Sequence, residues 1–120
     1  MATIVIAEDH LPHRKLLSYR LRRVGHDVIS SVNGLEALDK VEKSCPQLVI
    51  LDISMPEMDG LTTLKTLRAD ERFKNTPVIL LTASAVDKHR KMAFSSGADR
   101  FLSKPVSTKE LIDTVNELIN

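Results

Sequence analysis

Five short apolar runs set the rhythm of this chain, and amphipathic stretches separate them. Ile4-Val5-Ile6-Ala7, Val28-Ile29, Leu48-Val49-Ile50-Leu51, Val78-Ile79-Leu80-Leu81 and residues from about Arg100 to Ser103 read as strands. Continuous apolar runs of this length suit strands buried on both faces, as in a parallel sheet. Between them the period shifts to that of a helix. Leu16, Leu17, Leu21 and Val24 recur at helical spacing, with Pro12 at the start and Gly25 at the stop. Asn33-Gly34 opens a second helix with Leu35, Leu38 and Val41 on one face, closed by Pro46. A third helix runs from Gly60 to about Asp70 with Leu61, Leu64 and Leu67 spaced for burial. A polar fourth helix is predicted from about Val86 to Ser95, stopped by Gly97. The last carries Leu111, Ile112, Val115, Leu118 and Ile119, with Ser107 and Glu110 placed as a capping box.

Strictly alternating strands and helices argue a parallel sheet covered on both faces. Right-handed crossovers give the flavodoxin-like (βα)5 arrangement, a doubly wound sheet with strand order 2-1-3-4-5. No repeat, linker or low-complexity segment interrupts the pattern, so residues 1–120 are read as one domain.

Composition narrows the function classes. Hydrophobic residues at 42% and charged residues at 28% describe an ordinary globular chain. The formal net charge of +1 provides no whole-chain field for nucleic acid, and few aromatics weigh against base stacking. Cys45 is the only cysteine, which excludes an internal disulfide and suits a reducing cytoplasm. The start turns acidic at Glu8-Asp9, too soon for a signal peptide. No apolar run approaches the ~20 residues that span a bilayer.

The chemistry lies at the strand ends. The third run stops abruptly in Asp52, followed by the turn signals Met55-Pro56 and Asp59-Gly60. Asp52 either caps the next helix or is a reactive carboxylate held at the carboxyl end of a strand, where ligands sit in open α/β sheets. The other ends decide the matter: Glu8-Asp9 after the first strand, Thr82-Ala83-Ser84 after the fourth, Lys104-Pro105 after the fifth. In the order 2-1-3-4-5 the first and third strands are neighbours at the switch point, so Glu8, Asp9 and Asp52 share one crevice. Carboxylates that close repel unless a cation joins them, and hard oxygen ligands suit Mg²⁺ or Mn²⁺. A lysine and a hydroxyl beside them make a place to stabilise a phosphoryl group.

Four motifs in order, namely Glu8-Asp9, the block from Asp52 to Gly60, Thr82-Ala83 and Lys104-Pro105, make the whole chain resemble a response-regulator receiver domain of two-component signalling, of the stand-alone, chemotaxis-regulator-like kind. The resemblance implies that Asp52 accepts a phosphoryl group from a phosphohistidine on a sensor histidine kinase or a histidine phosphotransfer protein. It implies Asp9 and Asp52 as direct ligands of Mg²⁺, Glu8 as a ligand through metal-bound water, and the backbone carbonyl of Ser54 as a further ligand. Thr82 matches the hydroxyl that turns onto the phosphoryl oxygen, Lys104 the lysine that pairs with it, and Phe101 the aromatic switch position. A cis bond before Pro105 is implied as well.

So read, the protein is a phosphoacceptor switch rather than an enzyme in the ordinary sense, with Mg²⁺-dependent phosphotransfer and slow autodephosphorylation. Phosphorylation changes the face of the predicted fourth helix, fifth strand and fifth helix and so controls a protein target. A phosphoryl shuttle, or a receiver cut from a hybrid kinase or larger regulator, is the alternative. An aspartate-nucleophile phosphatase has a second acid where Ser54 stands, and a flavin carrier has a phosphate loop where Glu8-Asp9-His10 stands. A transcription factor needs a further domain.

Remaining features have plainer readings. His10 and His13 are exposed residues beside the site rather than a metal pair. Lys88-His89-Arg90-Lys91 is a solvated basic face, with partner binding as its alternative. Met55 and Met58 are packing residues, and Cys45 is inert.

Overall fold

The computed structural model describes residues 2–82 and 97–119. The predicted fourth helix, with its basic run, and Ala83-Ser84 lie outside the described residues. Five parallel strands form one sheet: β1 (Thr3–Ala7), β2 (Asp27–Ser31), β3 (Leu48–Asp52), β4 (Val78–Thr82) and β5 (Arg100–Ser103). Their order is β2-β1-β3-β4-β5, as the alternating pattern requires, and the fold is flavodoxin-like. Four helices are described: α1 (Leu11–Arg23), α2 (Gly34–Ser44), α3 (Gly60–Ala69) and α4 (Thr108–Ile119), the last being the predicted fifth helix. None is long and apolar enough to cross a membrane.

Alternation along each strand divides the core into two layers. Ile4, Ile6, Leu48, Ile50, Ile79 and Leu81 point to one side, where Leu17 and Leu21 of α1 and Leu111 and Val115 of α4 cover them. Val5, Ala7, Val49, Leu51, Val78 and Leu80 point to the other, beneath Ala37 and Val41 of α2 and Leu64 and Leu67 of α3. β3 and β4 are buried along their whole length. Each such Leu, Ile or Val adds about 1.5–3 kcal/mol of burial, so the central strands hold the frame on which the strand ends sit.

Helix ends follow local chemistry. Asn33 caps α2 by accepting from the Glu36 amide, and Asp59 caps α3 by accepting from the Thr62 amide. The Ser107 hydroxyl accepts from the Glu110 amide at the head of α4. Pro12 stands in the first turn of α1, and Gly25 follows its end at φ +96°.

Two predicted helix faces are corrected. Leu35 is 52% exposed, and the face that α2 buries is Gly34, Ala37 and Val41. A β-carbon on Gly34 would meet the Thr63 hydroxyl and the Met58 carbonyl, so α2 lies against the β3–α3 loop and α3 too closely for a larger residue. Leu16 on α1 and Val24 just past its end are exposed, while Leu17, Ser18 and Leu21 are buried. The Ser18 hydroxyl donates to the Arg14 carbonyl, which lets a polar residue face the sheet.

Candidate functional site at the carboxyl ends of the strands

The site is built from loops that the sheet holds at fixed heights. β1 and β3 are adjacent, with Ala7 in register with Leu51, so the residues that follow emerge side by side. Glu8 extends β1 by one step, its amide donating to the Ser31 carbonyl. Asp52 is the last residue of β3, and the Ile53 amide then donates to the Leu81 carbonyl of β4. On the far side the Lys104 amide donates to the Thr82 carbonyl at 2.7 Å, which brings the end of β5 against the end of β4. The peptide bond between Lys104 and Pro105 is cis.

These placements converge. Carboxylate oxygens of Glu8, Asp9 and Asp52 lie within 4.8 Å of one another. Glu8 and Asp52 are buried, whereas Asp9 is exposed at the rim. The Lys104 ammonium sits 2.6 Å from Glu8 Oε1 and 2.7 Å from Asp52 Oδ2. Asp52 Oδ1 also accepts a 3.3 Å bond from the Ser54 amide. Asp52 therefore does not cap α3; Asp59 does.

The electrostatics are those of crowded acids around one base. Burial, reinforced by the neighbouring Asp52 carboxylate, pushes the Glu8 carboxyl up to about 7, against the pull of Lys104. Burial acts to lower Lys104, but its contacts with Asp52 and Glu8 outweigh it and hold the ammonium above its ordinary value. One lysine thus offsets two buried carboxylates while a third carboxylate stands beside them. That donor set of clustered hard oxygens, with an excess of acid over base, fits a divalent cation of the Mg²⁺ type.

The β3–α3 loop is closed tightly over Asp52. The Gly60 amide donates to the Ile53 carbonyl, and Glu57 adopts φ +66°. A β-carbon on Gly60 would fall on the backbone carbonyl of Asp52. Only glycine lets the head of α3 approach that closely.

Thr82 is buried at the tip of β4, and Phe101 is half-buried on β5. Phe101 is in register with Leu80, two residues before Thr82, so the two side chains share one face of adjacent strands. That face is the layer of α2 and α3, where Phe101 packs with Leu80. Ser54 is exposed just past Asp52, and Met55 packs against the same layer.

Two contacts at the site had no signal in the sequence. His13 Nδ1 lies 3.4 Å from Glu8 Oε1, and the rings of His10 and His13 are 4.3 Å apart. Burial, then His10 and Lys104, keep His13 below its ordinary range and favour the neutral ring. The Arg14 guanidinium donates to the Glu8 carbonyl at 2.9 Å and the Asp9 carbonyl at 3.3 Å, bracing the loop that carries both acids. Both residues reach back across a loop–helix junction, and spacing alone does not reveal such a contact.

Known proteins share this architecture. The family model of the response regulator receiver domain matches residues 4–116. The polar-differentiation response regulator DivK of Brucella anthropi is 32% identical over 117 residues, covering 98% of this chain and 95% of that protein. The chemotaxis response regulator CheY4 of Vibrio cholerae superposes with a TM-score of 0.93 at 29% identity, covering 98% of each chain. The receiver domain of the sensor histidine kinase PA1611 of Pseudomonas aeruginosa, solved with a magnesium ion coordinated in its active-site cleft, gives a TM-score of 0.92 at 26% identity, covering 98% of this chain and 97% of that one. With a receiver model matching nearly end to end and receivers as its structural neighbours, this chain belongs to the response regulator receiver domain family.

Proposed function

We propose that Asp52 is the phosphoacceptor of a receiver switch spanning residues 1–120. The observation that carries this reading is the Lys104 ammonium seated between Asp52 and Glu8, at a strand end where the crevice opens. An Asp52 carboxylate oxygen attacks the phosphorus of a phosphohistidine on a sensor kinase or phosphotransfer protein. The P–N bond breaks, the imidazole leaves with its electron pair, and an acyl phosphate forms on Asp52. Asp9, Asp52, the Ser54 carbonyl and Glu8 are the groups that would hold Mg²⁺, or Mn²⁺ with the same ligand preference. The bound cation supplies charge neutralisation for the oxygens of the transferred group.

The chain's own residues do the rest. Lys104 leaves Asp52 for a phosphoryl oxygen and keeps its bond to Glu8. Ser54, whose amide already reaches an Asp52 oxygen, holds the carboxylate in one orientation. Thr82 turns its hydroxyl onto the phosphoryl group, and Phe101 moves into the space released on their common face. The altered surface of β5 and α4 then selects a protein target. Phosphorylation shifts this equilibrium only by as much as it favours the active arrangement. The activity is that of a cytoplasmic switch with slow autodephosphorylation, not of a turnover enzyme.

Labelling with acetyl phosphate, read by intact mass, tests the reading. One adduct of about 80 Da that requires Mg²⁺ and disappears in Asp52→Asn supports it. An Asp52→Asn protein labelled at the wild-type rate overturns it.

A further inference from the structure

The charge of this protein is segregated. α1 carries Arg14, Lys15, Arg20, Arg22 and Arg23 and no acid, a net of +5. The rest of the chain has twelve basic and sixteen acidic residues, a net of −4. Among the described residues, none of the five α1 cations is paired with a carboxylate. Arg14, Arg20 and Arg22 donate instead to the backbone carbonyls of Glu8, Val106 and Val28. Those bonds fix the guanidinium groups and leave their charge uncompensated. Arg23 donates to the Tyr19 hydroxyl and stacks near its ring.

Exposed apolar residues gather on the same helix. Leu11 is 48% exposed and Tyr19 is 58% exposed. Both line an open groove of about 590 Å³ between α1 and β2, with Lys15, Arg22, Arg23 and Ser30. β2 is an edge strand, so among the described residues one side of its backbone has no strand partner. Helical geometry turns Leu11, Lys15 and Arg22 about 150° away from His13, Leu16 and Arg20. The latter three border the cavity beside Lys104. The groove thus opens away from that cavity, with Arg14 tying its near end to the Glu8–Asp9 loop and Tyr19 and Arg23 leading round α1 toward Thr108 at the head of α4.

We propose that this groove docks an extended, acidic segment of a partner protein. Side chains of an extended segment alternate, so its carboxylates meet Lys15, Arg22 and Arg23 while the intervening apolar residues meet Leu11 and Tyr19. A flat lipid surface does not fill a concave groove. A nucleic acid would carry its charge across a molecule that is acidic outside α1. The inference is independent of the reading of Asp52.

The test is amide chemical-shift mapping on the full chain. The probe is a synthetic peptide of about ten residues with glutamate at every second position and leucine or serine between. Saturable shifts confined to residues 11–23 and 28–30 are expected, weakening when NaCl rises from about 50 to about 300 mM. Replacing the peptide's glutamates with glutamines is expected to weaken binding at least about tenfold. The Lys15→Glu/Arg23→Glu protein, altered at two exposed positions that make no backbone hydrogen bond, is expected to lose the peptide while its acetyl phosphate labelling is unchanged. No saturable shift at about 1 mM peptide overturns the proposal, as does equal binding of the glutamine peptide. Shifts at residues 11–23 produced by anionic vesicles or duplex DNA but not by the peptide overturn it too.

Discussion

Glu8 and Lys104 stand 96 positions apart in the chain, and their charged atoms meet at 2.6 Å. The same ammonium holds Asp52 at 2.7 Å. One cation therefore stands between the carboxylates that end two adjacent strands.

Removing the lysine exposes this balance. Lys104→Met leaves two buried carboxylates facing each other, a situation that costs several kcal/mol when no counter-charge is near. Because the lysine is partly exposed, we expect a loss of about 1–3 kcal/mol without metal, detected by thermal or urea unfolding. Mg²⁺ should restore most of it and bind more tightly than to the wild type, since it no longer competes with an ammonium. A variant as stable as wild type in EDTA contradicts the shared-cation account.

Glu8 predicts a pH dependence of opposite sense to an ordinary salt-bridged acid. Its folded value of about 7 lies above the ordinary value of 4.5, so the folded state holds its proton more tightly. The stabilising contribution is complete below 4.5 and is lost as pH rises through about 7. Metal-free stability should fall across that window by a few kcal/mol at most, and Glu8→Gln should flatten the fall. Unfolding midpoints measured in EDTA from about pH 3.5 to about pH 8, roughly one unit beyond the window at each end, give the answer.

His26 acts in the other direction. Its ring is buried, and Nδ1 accepts a hydrogen bond from the Ala2 amide at 3.1 Å. Burial lowers its affinity for a proton, so the fold favours the neutral ring. Its stabilising contribution is present above the ordinary value of 6.5 and is lost as pH falls below it. His26→Gln, with an amide oxygen able to accept from Ala2, should remove this acid sensitivity. The His26 ring signals in an NMR titration should shift at lower pH than those of an exposed histidine.

Gly60 tests the closeness of the acceptor loop. A methyl group there meets the Asp52 backbone, not the end of a flexible side chain. Gly60→Ala should cost about 2 kcal/mol or more and slow labelling of Asp52, because the loop moves with the helix head. Equal stability and equal labelling rate would show that the loop has slack.

Much of this was legible in the sequence, for physical reasons that differ by residue. The strands announced themselves because a doubly covered parallel sheet needs uninterrupted apolar runs such as Leu48–Leu51. Glu8, Asp9, Asp52 and Lys104 stood out because each breaks such a pattern at its carboxyl end, and strand order alone then gathers them. Leu17, Leu21 and Val41 are buried as the pattern predicts, but Leu16, Val24 and Leu35 only look like core residues, and Ser18, Gly34 and Ala37 fill the tight space. Small residues are buried where elements approach closely, and a hydropathy pattern is blind to that distance. The Arg14 brace and the His13 contact escaped for a similar reason, since both depend on how the β1–α1 loop folds back.

On the proposed reading, Asp52 and no other carboxylate of the cluster takes the phosphoryl group. Borohydride reduces an acyl phosphate to an alcohol, so a phosphorylated aspartate becomes homoserine. Peptide mass mapping after acetyl phosphate, Mg²⁺ and borohydride treatment reads the position directly. The account predicts homoserine at position 52 alone, absent without Mg²⁺. Conversion at Asp9 or Glu8, or labelling with no conversion at 52, would contradict it.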